Sequence, residues 1–264
     1  MVTADNLLQH VLAASPWVDR ASTVDRVIVG DGERAISTAL VTWISSFAAC
    51  REAVRRGVDL LVTHEPTFWN HHDDRPAVAD PVAQEKLRFL EESGLVILRL
   101  HDSWDRFPEV GIPFAWARFL GFAGAPVRVH PQGCQHRYDL DPLPAGDFAQ
   151  RVAARTAAVG EPVIQFVGDP ELPVSRIGVG TGCGCGIEEY REMGCDLAVV
   201  CDDGQWYWGP IQRAADAGLP VVRVNHGTSE EPGMVTLAAY LQQAFPTLAV
   251  EHLPHACLYR PVGR

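Results

Sequence analysis

Apolar strand-like runs alternate with helix-like segments along this chain, and this alternation is the feature that most constrains its fold. Residues 58–63 (VDLLVT) and 95–100 (LVILRL) are continuous apolar runs, typical of strands that are buried on both faces. Residues 81–93 between them have a helical pattern, and the glycine that follows, Gly94, is a common helix stop. Strand, helix and strand in this order predict an α/β fold with a largely parallel sheet.

The C-terminal half shows the same alternation of strand-like and helix-like segments, although its sequence does not visibly repeat that of the N-terminal half. Strands are predicted at residues 176–180, 196–201 and 221–224, and the last is followed by a helix from about Gly233 to Phe245. The stretch from residue 124 to residue 141 is rich in proline, glycine and polar residues, which favours a connector. We therefore predict two similar α/β halves, residues 1–124 and 125–264, with mixed sheets flanked by helices.

Composition limits the classes of function. The chain has 264 residues with 47% hydrophobic content, enough for substantial cores, and a net charge of −11. An acidic surface repels phosphate backbones, so nucleic-acid binding is disfavoured. The seven cysteines lack the density of a secreted disulfide scaffold, and neither a signal-peptide pattern nor a membrane-spanning apolar stretch is visible. These features predict a cytoplasmic protein that does not enter membranes.

Three short motifs, far apart in sequence, each pair an imidazole with a carboxylate directly after a strand-like run. They are His64-Glu65, His101 with Asp105, and His226 with Glu230. Ligands in α/β sheets collect beyond the carboxyl ends of the strands. Three such pairs at three strand ends predict a composite site for one or two divalent cations.

Each motif alone has a plainer interpretation. His64 and Glu65 are also consistent with a polar strand end that faces water. His101 and Asp105, four residues apart, are also consistent with a helix cap and a surface ion pair. A capping arrangement in which Glu230 favours the helix dipole explains Glu230 but not His226.

Taken together, the motifs offer ligands suited to Zn, Fe or Mn. A carboxylate that bridges two ions about 3.5–4 Å apart builds a two-metal hydrolytic site. Two other features are weaker. Cys183 and Cys185 lie in a glycine-rich turn and are either a metal-binding pair or part of a tight turn. Phe68 and Trp69, beside the first motif, either stack on a base or pack in the core.

Four segments of the chain resemble one known family, the Nif-three-like dinuclear metal-centre proteins, often labelled GTP cyclohydrolase 1 type 2 homologues. The segments are AVRRGVDLLVTHEPTFW, HDSWDRFPEVGI with FAWARFLGF, VGTGCGCGIEEYREMGCDLAVVCD, and NHGTSEEPGM. The resemblance covers nearly the whole length. It implies two similar α/β halves with a metal cleft between them, assembled into a toroidal homohexamer.

The resemblance also implies a ligand set and an activity. Two divalent ions would be held by His64, Asp105, His226 and Glu230, with Asp105 and Glu230 as bridging carboxylates, and His101 would be a ligand or a neighbouring group that shuttles protons. The implied function is metal-dependent hydrolysis of a small substrate, such as a nucleotide or phosphoester. The alternative is a non-catalytic hexameric scaffold or metal-handling protein.

Two positions depart from the family pattern. Glu65 stands where the family has a second histidine; it is still a metal ligand in our interpretation, but it adds negative charge and shifts the preference toward harder ions. Ile112 stands where the family usually has asparagine, which removes a hydrogen bond near the site. The residues specify neither the metal nor the substrate.

Overall fold

The computed structural model describes residues 1–74 and 80–262, in which strands and helices alternate along the chain. The strands of this part are β1 (Val2–Thr3), β2 (Arg26–Val29), β3 (Ala35–Ile36), β4 (Thr38–Ile44), β5 (Leu60–Glu65), β6 (Val96–Arg99), β7 (Arg128–Val129), β8 (His136–Pro144), β9 (Gln165–Val167), β10 (Pro173–Val179), β11 (Leu197–Cys201), β12 (Val221–Val224) and β13 (Ala249–His252). Its α-helices are α1 (Ala4–Ala13), α2 (Phe47–Arg55), α3 (Pro81–Ser93), α4 (Asp102–Asp105), α5 (Ile112–Leu120), α6 (Ala145–Thr156), α7 (Ile187–Glu192), α8 (Gln212–Asp216) and α9 (His226–Ala244).

The chain forms two compact units. The first comprises Met1–Phe107 and Met234–His255, and the second comprises Pro108–Gly233 and Ala256–Arg264. The first unit thus ends before residue 124. Helix α5 belongs to the second unit, where it packs against α6 and β10.

The first unit is built on a five-stranded mixed sheet in the order β13-β4-β5-β6-β2. Strands β13, β4, β5 and β6 are parallel to their neighbours, and β2 is antiparallel to β6. Fully buried side chains such as Leu61 and Ile97 pack against Leu90 of α3. Each such side chain contributes about 1.5–3 kcal/mol through burial, so the apolar runs hold β5 and β6 side by side.

Helix α3 illustrates how local sequence sets these elements. The Asp80 carboxylate accepts hydrogen bonds from the backbone N–H groups of Val82 and Ala83, and Pro81 occupies the first turn. The helix ends at Gly94, which has a φ of +67° in the left-handed region that glycine enters without strain. The chain then turns directly into β6.

The second unit contains a six-stranded mixed sheet in the order β7-β8-β10-β11-β12-β9. Its central strands β10, β11 and β12 are parallel, whereas β7, β8 and β9 pair antiparallel with their neighbours. Its core includes Trp116, Tyr190, Val199 and Val222, all of them buried. The predicted α/β class with mixed sheets is confirmed.

Two predictions about elements were wrong. Residues 124–141 are not a plain connector, since they contain β7 and the first part of β8, which completes one edge of the second sheet. The last helix does not begin near Gly233, because α9 already begins at His226 and includes Pro232. Within residues 1–74 and 80–262, no helix combines the length and apolar character needed to span a bilayer.

Candidate metal centre

His64 and Glu65 are the last two residues of β5, in the first unit. The His64 side chain is fully buried, and its Nδ1 lies 3.1 Å from the carbonyl oxygen of Leu100. A carbonyl only accepts, so Nδ1 carries the proton and donates it, which leaves the lone pair on Nε2. Histidines that bind a metal through one ring nitrogen typically donate a hydrogen bond from the other, as Nδ1 of His64 does here.

Nε2 of His64 lies 3.3 Å from Oδ1 of Asp105. Two ligand atoms that each lie about 2.0–2.1 Å from one tetrahedral ion are themselves about 3.3 Å apart. The two atoms are therefore spaced as ligands of one ion would be. The ring of His64 is also stacked on the ring of His101, with centroids 4.5 Å apart and planes 14° apart. The parallel pairing of β5 and β6 places these side chains together, because both strands end at the same edge of the sheet.

A short helix after β6 positions His101 and Asp105. The carboxylate of Asp25 accepts hydrogen bonds from the backbone N–H groups of His101, Asp102 and Ser103, at 2.6–2.9 Å. These three contacts fix the start of α4. Burial raises the pKa of Asp25 above its ordinary value, against the hydrogen bonds it accepts.

Carboxylates surround the imidazole of His101. Its Nδ1 lies 2.9 Å from Asp102 Oδ1 and 3.4 Å from Asp105 Oδ2, and its Nε2 lies 4.0 Å from Glu65 Oε1. Burial works against protonation of this ring. The charge of Asp105, the hydrogen bond to Asp102 and the charge of Glu65 outweigh burial and raise the pKa of His101 to about 9. The surrounding carboxylates therefore favour a positive charge at this ring.

The first unit thus brings four predicted site residues together. Ligand atoms of His64, His101 and Asp105 all lie within 4.8 Å of one another, with Glu65 beside them. The donor set of imidazole and carboxylate fits Zn, Fe or Mn. We call this set the first-unit group.

His226 and Glu230 form a corresponding pair in the second unit. They lie four residues apart at the start of α9, and His226 Nε2 is 3.1 Å from Glu230 Oε1. The hydroxyl of Thr181, just beyond β10, donates a hydrogen bond of 2.6 Å to the same Glu230 oxygen. Glu230 is almost fully buried. We call His226 and Glu230 the second-unit group.

The strand ends of the second sheet support this pair. Asp202 follows β11, and its carboxylate accepts a 2.5 Å hydrogen bond from the backbone N–H of His226. Gly182 has a φ of +58°, and a Cβ built on it would lie 3.1 Å from Glu230 Oε1 and 3.3 Å from His226 Nε2. The lack of a side chain at Gly182 therefore leaves room beside both potential ligand atoms.

Asp25, Thr181 and Asp202 were missed as site residues. Thr181 and Asp202 carried a signal, because each lies at the end of an apolar run just as His64-Glu65 and His101 do. Asp25 carried none, since it contacts residues 76–78 positions further along the chain.

The structure also describes most of the other positions singled out in the sequence. Ile112 is buried, and a Cβ added to Gly233 of α9 would meet its side chain at 2.4 Å, so close packing occupies this position. Phe68 is buried in the first core, whereas Trp69 is about half exposed. Cys185 is buried, and the side chain of Cys183 lies outside what the structure describes.

Comparisons with known proteins point to one family. A model of the family described as Duf34/NIF3 (NGG1p interacting factor 3) matches residues 6–257. A Pseudomonas aeruginosa protein named "GTP cyclohydrolase 1 type 2 homolog" is 29% identical over 213 residues, or 79% of each chain. Among solved structures, the protein ybgI, described as of unknown function, has a TM-score of 0.80 at 22% identity and covers 97% of this chain and 100% of its own. A Bacillus cereus protein related to NIF3 has a TM-score of 0.75 at 13% identity and covers 98% of both chains. At these identities the two structures establish a shared fold.

Proposed function

The chain belongs to the Duf34/NIF3 family, and we propose that it binds two divalent metal ions and uses them to hydrolyse a small substrate. The observation that carries this proposal is the first-unit group. A fully buried histidine whose Nδ1 is held by a carbonyl, a second imidazole and an aspartate converge within 4.8 Å at one edge of a sheet. Neither a helix cap nor a solvent-facing strand end requires this convergence.

We assign the ligands as His64, Glu65, Asp105, His226 and Glu230. The family resemblance supplies their union in one dinuclear centre and makes Asp105 and Glu230 the bridging carboxylates. The structure supports each group within its own unit. Zn, Fe and Mn all suit this mixture of nitrogen and oxygen donors.

The bound ions would supply Lewis-acid chemistry and a lowered pKa for water at the site. The protein's own residues supply the rest. The carboxylates of Glu65, Asp102 and Asp105 surround the His101 ring, which suits it to pass a proton to a leaving group. Asp25 fixes the start of α4 and so keeps His101 and Asp105 in place. We expect a nucleotide or another phosphoester as substrate.

One observation favours a second function, a non-catalytic scaffold or metal-handling protein. Glu65 replaces a histidine of the family pattern and adds a negative charge 4.0 Å from the His101 ring. A site with extra charge holds hard ions and activates water less strongly than one with neutral imidazole ligands. In either case we propose a cytoplasmic homohexamer that does not bind nucleic acid.

Hydrolysis assays with matched variants distinguish the two functions. The reduced protein is reconstituted with Zn, Mn or Fe(II) and assayed against nucleoside triphosphates, including GTP, and p-nitrophenyl phosphoesters. We expect turnover of at least one substrate, and a loss of about 100-fold or more in kcat/KM in Asp105→Asn. Asp147→Asn, an exposed substitution in α6, is the control and should behave as the wild type.

Two results would count against catalysis. Equal turnover in wild type and Asp105→Asn would place the activity elsewhere or in a contaminant. Stoichiometric metal binding without turnover of any substrate in the panel would favour the scaffold or metal-handling function.

A further inference from the structure

Two thiols meet directly behind the second-unit group. Sγ of Cys185 and Sγ of Cys201 are 3.8 Å apart, and both side chains are fully buried. Cys201 is the last residue of β11, and Cys185 belongs to the turn that follows β10. No role for these cysteines follows from the metal-dependent activity proposed above.

The two thiols hold the backbone of that turn. Cys185 donates to the carbonyl oxygen of Gly182 at 2.9 Å, and Cys201 donates to the same oxygen at 3.4 Å. The backbone N–H of Cys201 in turn donates to Sγ of Cys185 at 3.4 Å. One carbonyl oxygen therefore lies within hydrogen-bonding distance of both sulfurs, so the position of the turn depends on both cysteines remaining thiols.

The same turn lies against the potential metal ligands. Gly182 approaches so closely that an added Cβ would lie 3.1 Å from Glu230 Oε1 and 3.3 Å from His226 Nε2. Its neighbour Thr181 donates a hydrogen bond to Glu230. A displacement of this turn would therefore move the side chains of His226 and Glu230.

We propose that Cys185 and Cys201 form a reversible disulfide, and that its formation weakens metal binding by His226 and Glu230. The predicted loss of metal binding rests on the proposed function, whereas the formation of the disulfide does not. A disulfide bond is about 2.05 Å long, so the two sulfurs must approach by about 1.8 Å. Strand β11 is held between β10 and β12, so Cys185 and its turn make most of this movement.

The reaction balances with a peroxide as the oxidant. One thiol sulfur attacks a peroxide oxygen, the O–O bond breaks, and a sulfenic acid and water form. The second sulfur then attacks the sulfenic sulfur, the S–S bond forms and a second water leaves. Two electrons pass from the sulfur pair to the peroxide, and a small dithiol returns them through thiol–disulfide exchange.

Burial sets the conditions for this chemistry. The hydrogen bond with Cys185 and burial together raise the pKa of Cys201 well above its ordinary value. Because both side chains are buried, the closed pair is also protected from bulky reagents. A small oxidant reaches the thiols when the turn from Thr181 to Gly186 opens. Oxidation is then slow and is limited by that opening.

Peptide mapping and metal analysis of the full chain test the proposal. Reduced, zinc-reconstituted protein is treated with hydrogen peroxide or left untreated, and the disulfides are mapped by mass spectrometry while zinc per chain is measured. We expect a Cys185–Cys201 disulfide and a loss of zinc that dithiothreitol followed by fresh zinc restores. Cys185→Ser and Cys201→Ser should keep their zinc under the same treatment.

Cys50→Ser is the matched control, because Cys50 is equally buried but donates to the Ser45 carbonyl in the first unit. It should lose zinc on oxidation as the wild type does. Absence of the Cys185–Cys201 disulfide would overturn the proposal, as would a disulfide that leaves the zinc content unchanged. Failure of the reduced wild type to bind zinc would sink the proposed function, while the mapping would still decide whether the thiols pair.

Discussion

At the scale of single residues, hydrogen bonds to neighbouring groups orient the side chains that we propose as metal ligands. The Leu100 carbonyl holds the Nδ1 proton of His64 and so leaves Nε2 as the electron-pair donor. The Thr181 hydroxyl donates to Glu230 and fixes the orientation of its carboxylate. Neither partner is itself a potential ligand, yet each orients one.

The Thr181 contact gives a prediction about metal affinity. Thr181→Val keeps the shape of the side chain but removes the hydroxyl donor, so we expect metal affinity to fall by about 10–100-fold. Competition with a chromophoric chelator measures the affinity. Thr181→Ser retains the hydroxyl and is the matched control, which should stay within a few-fold of the wild type. Equal affinities for Thr181→Val and the wild type would show that this contact does not orient a ligand.

A second residue-scale prediction concerns acid stability. Burial lowers the pKa of His136 to about 4, and the side chain is fully buried in β8. An unfolded histidine has a pKa of about 6.5, so between these values the unfolded chain binds more protons than the folded one. The free energy of unfolding therefore falls as the pH drops from about 6.5 to 4, by up to about 3 kcal/mol from this group.

Urea unfolding between pH 7.5 and 4 measures this contribution. His136→Gln removes the titrating ring, so its stability should decline less steeply below pH 6.5 than that of the wild type. The difference should vanish above pH 7, apart from a constant offset. Parallel curves across the whole range would mean that His136 is not the group that titrates.

At the scale of secondary-structure elements, parallel strands gather chemically active side chains at one edge. In the first unit, β5 and β6 end at the first-unit group. In the second unit, β10, β11 and β12 are followed within two residues by Thr181, Asp202 and His226. The same arrangement thus serves both units, since a strand end leaves side chains and N–H groups available to ligands.

Packing of α7 on β10 gives a prediction about stability. A Cβ on Gly178 of β10 would lie 2.5 Å from Cδ1 and 2.7 Å from Cγ of Tyr190. Tyr190 is fully buried, and its hydroxyl donates to the carbonyl of Val199, so the ring has little room to move. We expect Gly178→Ala to lower the free energy of unfolding by about 1–3 kcal/mol.

A double-mutant cycle isolates the cause. In the Tyr190→Ala background the ring is absent, so the added methyl of Gly178→Ala should cost much less than it does in the wild type. Chemical denaturation of the four proteins gives the coupling energy. Equal costs in both backgrounds would assign the effect to the strand backbone instead of the ring.

Elements with a local signal were predictable from the sequence. The Asp80-Pro81 start and Gly94 end define α3, and continuous apolar runs define β5, β6 and β11. The start of α9 was not predictable in this way, because Pro232 and Gly233 suggest a helix beginning where α9 in fact continues. The role of Asp25 depends on contacts with residues distant in sequence, which no local pattern encodes.

At the scale of the whole molecule, charge and family membership guide expectations. The net charge of −11 disfavours binding to phosphate backbones. Three of the proposed metal ligands, Glu65, Asp105 and Glu230, are acidic, so two bound divalent ions would offset part of this negative charge. The sequence predicts the candidate ligands because each His-carboxylate pair lies at or just after the end of an apolar strand, and the family resemblance joins the pairs into one proposed set.

Elemental analysis of metal in the purified protein tests the central claim most directly. The wild type, Asp105→Ala and Glu65→His are compared after reconstitution under reducing conditions. We predict about two ions per wild-type chain, loss of metal in Asp105→Ala, and retention of both ions in Glu65→His, which restores the imidazole of the family pattern. No bound metal in the reconstituted wild type, or an unchanged metal content in Asp105→Ala, would contradict the account.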